Sequence, residues 1–331
     1  MQGKTISIIR LGLFFLIILS SCTPHEKLLI NENRIGVGVS TRVDIPYWMD
    51  LLGAQWYMDW QTQSVSSKSQ MEYWQTIRVS ENGYSPGRKE LIRLLRKYPG
   101  HTWIIGNEPD NIWQDNVSAE KYAQYYYKLY KLIKRYDRSA RVAIGAVTQP
   151  TPLRLEYLDI VLTTYENKYH QPLPVDWWTI HAYVMREEKS SWGADIPSGM
   201  TKEKGELYDI EHHGDIQIFK ENITNFRVWL KEKGYQDTPL AITEFGILLP
   251  ETFGYDPTTI RVYLKSSFDW LLTSRDETIG FPQDEFRLVQ KFAWFSLHDT
   301  SFPVANLVDL SINQLSPIGE EFSQFSQKHS E

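Results

Sequence analysis

Two glutamates of this 331-residue chain stand where paired carboxyl chemistry is possible. Glu108 follows the apolar run Trp103-Ile-Ile105, and Glu244 follows Leu240-Ala-Ile242. Each lies where an apolar run yields to Gly, Pro or Asp, in Gly106-Asn-Glu-Pro-Asp110 and in Thr243-Glu-Phe-Gly246. Two carboxyl groups on opposite sides of a pocket can cleave a glycosidic bond, one as proton donor and the other as nucleophile or base. At a separation of about 5–5.5 Å the second attacks the sugar directly and configuration is retained. His181 and Tyr183 flank Ala182 in a third apolar segment. Alternation along a strand puts both on one face, so both can point into the same pocket.

Such residues need strands that end together. Short apolar runs alternate with longer amphipathic segments, the rhythm of βα units and a parallel sheet. The pattern predicts eight strands, over 35–39, 54–60, 73–80, 102–106, 141–147, 176–183, 240–246 and 290–298. Helices are expected over 88–98, 118–136, 153–167, 216–233 and 257–274. Pro99-Gly100 stops the first of these, and Asp256-Pro257 opens the last with a cap and a first-turn proline. The expected fold is α/β, a single-domain (β/α)₈ TIM barrel. Residues just after the strand ends converge on one face of such a barrel, which places Glu108 on the fourth strand and Glu244 on the seventh across a common pocket. Residues 185–215, after the sixth strand, form an unusually long connection and are read as a cleft wall or lid.

Bulk properties narrow the partners. The formal net charge is -6, which argues against nucleic-acid binding. Twelve Trp and 19 Tyr offer flat apolar faces for sugar rings, although any single Trp is more readily a core residue. No Gly-x-Gly-x-x-Gly or phosphate-loop run occurs, so no cofactor is expected. His212, His213 and Asp215 form a weak metal pattern, because adjacent histidines point apart, and no metal is expected either.

The N-terminus reads as a targeting segment. Lys4 and Arg10 bracket a positive start, and Leu11 to Leu19 is apolar but short of the roughly 20 residues a membrane span needs. Leu19-Ser-Ser-Cys22 then resembles a bacterial lipobox, and it holds the single Cys of the chain. The expectation is a lipoprotein signal peptide over 1–22, a tether over 23–33 and the barrel over 34–331. The mature protein would be exported, extracytoplasmic, held to the bacterial cell membrane by lipid on Cys22, and monomeric.

The segments Gly106-Asn-Glu-Pro-Asp110, Val175-Asp-Trp-Trp-Thr-Ile-His-Ala-Tyr183, Thr243-Glu-Phe-Gly246 and Ala293-Trp-Phe-Ser296, in this order, resemble the clan A retaining glycoside hydrolases. Within the clan the chain is most similar to the Asl1-like glycosyl hydrolase catalytic domain, which includes the endo-β-1,3-glucanases of glycoside hydrolase family 128. The third strand, Tyr73-Trp-Gln-Thr-Ile-Arg-Val79, departs from that pattern. The resemblance implies Glu108 as general acid/base and Glu244 as nucleophile. It implies Asn107 at the sugar 2-hydroxyl, Tyr183 donating to Glu244, His181 orienting either carboxylate, and Trp294 as the floor beneath the sugar. Asp110 and Asp299 are further candidates for sugar hydroxyls. It also implies a cis peptide between Trp294 and Phe295. The substrate it implies is an oligo- or polysaccharide, with β-1,3-glucan first. A transglycosylase would use the same glutamates, whereas a non-catalytic glycan-binding lipoprotein would keep the cleft without needing both.

Overall fold

The structure is a computed structural model, and it describes residues 33–40, 43–62 and 71–329. Cys22, the expected signal peptide over 1–22 and nearly all of the expected tether over 23–33 lie outside the described residues.

In chain order the elements are β1 (Ile35–Gly38), α1 (Ile45–Leu52), β2 (Trp56–Met58), β3 (Glu72–Ser80), β4 (Gly83–Ser85), α2 (Arg88–Lys97), β5 (Thr102–Ile105), α3 (Ala119–Tyr136) and β6 (Arg141–Ile144). There follow α4 (Pro152–Tyr169), β7 (Trp178–His181), α5 (Ile216–Glu232), β8 (Leu240–Phe245), α6 (Pro257–Thr273), β9 (Lys291–Trp294), the small ribbon β10 (Val308–Asp309) with β11 (Gln314–Leu315), and α7 (Pro317–Lys328). Eight strands pair in the order β6-β5-β3-β2-β1-β9-β8-β7, all in parallel. The two ends of that path meet through parallel bridges Ala143–Trp177 and Val147–Ile180. The sheet therefore closes, and the fold is the expected (β/α)₈ barrel.

Every predicted strand is present, and so are the five predicted helices. α1 and α7 are present in addition to the predicted helices. Between β2 and β3 no helix occurs among the described residues, which hold seven α-helices in all. β4 is an added hairpin arm on β3.

Two hydrophobic layers follow from strand alternation. Trp56, Met58, Trp74, Ile104, Ala143, Trp177, Ala241 and Ala293 fill the barrel interior. Large indoles there face small partners: a Cβ added to Gly36 would sit 2.4 Å from the Trp56 ring. The alternate residues, such as Ile35, Ile77, Trp103, Ile242 and Phe292, pack outward against the helices. Beneath the interior layer, Lys291 Nζ is held by Glu72 at 2.7 Å, which neutralises a cation buried at the closed end.

Candidate active site

At the open, C-terminal end of the strands lies a cleft of about 650 Å³. Glu108, Asn107, Tyr183 and Glu244 line it, so the structure brings together the residues on which the sequence reading rested. Glu108 and Glu244 are 5% and 6% exposed, at the floor of the cleft rather than on its rim.

Two local departures from regular geometry aim these carboxylates. Glu108 adopts φ 45°, in the left-handed region that few non-glycine residues visit. The chain turns off β5 there, while the Glu108 N–H still donates to Ala146 O at 3.0 Å. On β8, Ala241 faces the interior, so simple alternation would turn Glu244 outward. The register with β9 shifts between Ile242 and Phe245, and the register with β7 shifts at Ile180 and His181. This bulge advances the phase by one residue, turning Glu244 inward and Phe245 out to Phe268 and Phe292.

His181 stands between the two carboxylates, fully buried. Its Nδ1 is 2.8 Å from Glu108 Oε1. Its Nε2 is 3.1 Å from Glu244 Oε1, within ion-pair reach but off the line of a good hydrogen bond. Oxygens of the two glutamates lie within 4.8 Å of each other. Glu108 Oε2 accepts from Asn111 Nδ2 at 2.7 Å. Glu244 accepts from Tyr183 Oη–H at 3.1 Å and from the Trp60 indole N–H. Thr179 faces the interior below His181, and His181 and Tyr183 continue that face, as alternation predicts.

The electrostatics follow from burial. Removal from water raises the Glu244 pKa to about 7; the imidazole of His181 opposes this, and the charge of Glu108 adds to it. For His181 burial disfavours the imidazolium, but Glu244 and then Glu108 outweigh it and the pKa is raised. Burial pushes the Tyr183 phenol well above its ordinary range, so it stays protonated and donates. The two glutamates and the histidine form the one group among the described residues whose ligand atoms are close enough to hold a metal ion. Here those atoms already engage one another.

Two proposed contacts are corrected by the geometry. Asp110 does not reach the cleft. It is fully buried, and its carboxylate pairs with Arg154, also fully buried, whose Nε holds Glu187 Oε1 at 2.9 Å. Arg154 Nη2 also donates to Ala194 O and Asp195 O, so this network ties the Glu108 loop to the 185–215 segment. Trp294 is not the floor beneath a sugar. Ala293 occupies the interior, so Trp294 faces outward among Phe245 and Phe268, with its indole N–H on Ala305 O at 2.9 Å. Phe295 lines the cleft instead. The Trp294–Phe295 bond is trans; the cis bond lies one residue on, between Phe295 and Ser296.

The long segment after β7 does form a wall: Met185, Trp192, Gly193 and His213 line the cleft. His213 is structural. Its Nδ1 lies 3.0 Å from Val184 O and its Nε2 accepts from Leu248 N–H at 2.8 Å, which fixes a neutral ring; burial lowers its pKa to about 4. Asp299 also lines the cleft.

Trp60 and Asn111 were not singled out in the sequence, yet each touches a catalytic candidate. Trp60 has φ 57°, and its ring sits over Gly38, where a Cβ would be 2.9 Å away. A Trp two residues past the second strand, whose last residue Met58 pairs with the Gly38 that ends the first, is the signal that was available.

No protein-family model matches the chain, and no curated protein matches it by sequence. Solved structures do match in fold. An endo-β-1,3-glucanase of glycoside hydrolase family 128, subgroup II, from Pseudomonas viridiflava superposes with a TM-score of 0.60 at 15% identity, covering 88% of this chain and 97% of that one. A subgroup III curdlan-specific exo-β-1,3-glucanase from Blastomyces gilchristii, in complex with glucose, gives 0.59 at 17% identity, covering 88% and 98%. The subgroup II endo-β-1,3-glucanase of Sorangium cellulosum gives 0.58 at 16%, covering 88% and 97%. At these identities the likeness establishes the barrel fold.

Proposed function

We propose that the chain is a retaining glycoside hydrolase that cleaves a β-1,3-glucan. The observation that carries this is the facing pair Glu108 and Glu244, with oxygens within 4.8 Å across a cleft at the strand C-termini. That spacing leaves no room for a water between carboxylate and sugar, which favours direct attack and retention. Glu244 is the nucleophile, because Tyr183 and Trp60 donate to its ionised form. Glu108 protonates the leaving oxygen and then serves as base for the water that releases the sugar. Asn107, beside the acid, lines the cleft and is assigned here to the sugar 2-hydroxyl. The substrate class rests on fold neighbours that act on β-1,3-glucans, both endo and exo. Digestion of a glycan panel with sizing of products tests it: laminari-oligosaccharides should be shortened, and cleavage confined to another linkage would reject the substrate assignment.

The pH dependence follows from the raised pKa of Glu244. Attack requires the ionised carboxylate, so activity is present above that pKa and lost as pH falls through it. With a value near 7, kcat/KM should drop about tenfold per unit below that pH. The apparent value belongs to the buried site around Glu244 rather than to that carboxyl in isolation. A profile flat down to pH 5 would contradict this ionisation scheme.

We also propose that the enzyme works outside the cytoplasm on a lipid anchor at Cys22, as the lipobox-like Leu19-Ser-Ser-Cys22 suggests. Cys22→Ser should leave the protein unprocessed or free of the membrane fraction. A mature chain that begins elsewhere without lipid would remove this proposal.

A further inference from the structure

The rim of the cleft carries an aromatic ring that the reaction at its floor does not use. Trp113 is 72% exposed, more than any other large hydrophobic residue among those described, and it lines the cleft. Its loop is not slack. Asn111 Oδ1 accepts the Trp113 N–H at 2.9 Å, while the same side chain donates from Nδ2 to Glu108 Oε2 at 2.7 Å. The Val117 N–H closes the loop onto Pro109 O at 2.7 Å. One asparagine thus fixes both the carboxylate at the floor and the backbone that presents the indole at the rim.

Polar groups line the same cleft. Arg78 faces the cleft from the end of β3; its Nε rests on Asp115 Oδ1 and its Nη2 on Gln114 Oε1 at 3.1 Å. Its side chain is 37% exposed, and its Nη1 is free among the described residues. Gln114 and Asn107 line the same stretch. An exposed indole beside a few fixed donors and acceptors suits a pyranose ring, which offers a flat C–H face and equatorial hydroxyls at its edge. A separate aromatic run, Trp60 to Phe295 to Phe302, leads from Glu244 to an exposed ring.

We propose that Trp113, with Arg78 and Gln114, forms a subsite for a neutral hexopyranose at least one unit away from the cleaved bond. The subsite makes cleavage depend on chain length. It rests on the glycosidase reading for its turnover measurements, and a binding measurement reads it independently of turnover.

The test compares Trp113→Ala with the parent chain on laminaribiose and laminarihexaose. Loss of a buried aromatic contact lowers affinity by about 10- to 50-fold. The kcat/KM on laminarihexaose should fall by that factor, chiefly through KM, and the loss should shrink to about two- to threefold on laminaribiose. Trp113→Phe should recover most of it, because a ring face remains. In parallel, laminarihexaose is titrated into Glu244→Gln and into Glu244→Gln/Trp113→Ala; the second should bind about 10- to 50-fold more weakly. Equal losses on both oligosaccharides, unchanged affinity in the titration, or no affinity for laminarihexaose in either protein would each overturn the subsite. A parent chain that cleaves no β-1,3-glucan, with the affinity difference intact, would reject the reaction and leave the subsite standing.

Discussion

Glu244→Gln should lower kcat on a β-1,3-glucan by about three orders of magnitude or more while binding of the glycan survives. Gln has nearly the shape of Glu, and its amide oxygen can still accept from Tyr183 or Trp60, so the floor of the cleft keeps its form. What it lacks is a carboxylate able to bond to the anomeric carbon. No glycosyl-enzyme can form, and the lost step has no substitute among the neighbouring side chains. Turnover is read from reducing ends released from laminarihexaose, and binding by calorimetry on the same substrate. Activity above a tenth of the parent value would mean that Glu244 is not the nucleophile. Equal binding by the parent and the variant, with cleavage by neither, would mean a glycan-binding protein.

Glu108→Gln should cost about 10²- to 10⁴-fold on the same glucan, and the size of the loss should depend on the leaving group. A sugar hydroxyl leaves poorly without a proton, so its departure suffers in full. A dinitrophenolate leaves unaided, so glycosylation from a dinitrophenyl glycoside should be nearly spared. Release of the sugar should still slow, because Glu108 no longer draws a proton from water. The glycosyl-enzyme then accumulates, and the phenolate appears as a burst followed by a slow phase. A loss of equal size for both leaving groups would remove Glu108 from the role of acid.

Much of this site was legible because the barrel ties chemistry to strand ends. Apolar runs such as Trp103-Ile-Ile105 and Leu240-Ala-Ile242 mark strands by composition, and the residues that follow them must gather at one face. His181 and Tyr183 were readable together because the alternation of β7 carries on past its end, through Ala182 in the outer core to Tyr183. Trp294 was misread for the opposite reason: its parity depends on Ala293, a small interior residue that gives no hint of which way it faces. Glu244 faces the cleft only because of a bulge, and a bulge leaves no mark in Thr-Glu-Phe-Gly. Asp110 looked available for sugar because its partner, Arg154, is 44 residues away and approaches only when α4 packs on the barrel. The first helix, α1, carries an Asp44 cap, Pro46 and a left-handed Gly53, but at eight residues it is too short for a helical period to show. The last, α7, has a cap at Ser316 and Pro317 of the same kind. Trp60 owes its role to a left-handed backbone that the strand pattern Ala54 to Trp60 does not foretell.

The assignment of roles is tested most directly by azide rescue of two variants that make room for the anion, Glu244→Ala and Glu108→Ala, on a dinitrophenyl β-laminaribioside. If Glu244 is the nucleophile and Glu108 the acid/base, azide takes two different places. In the Glu244 variant it enters from the vacated face and gives an α-glycosyl azide. In the Glu108 variant Glu244 attacks first, azide then displaces it, and the product is a β-glycosyl azide. Proton NMR of the anomeric position separates the two products. Opposite anomers from the two variants are the predicted result; the same anomer from both, or an α-azide from the Glu108 variant, would contradict the retaining mechanism proposed for this chain.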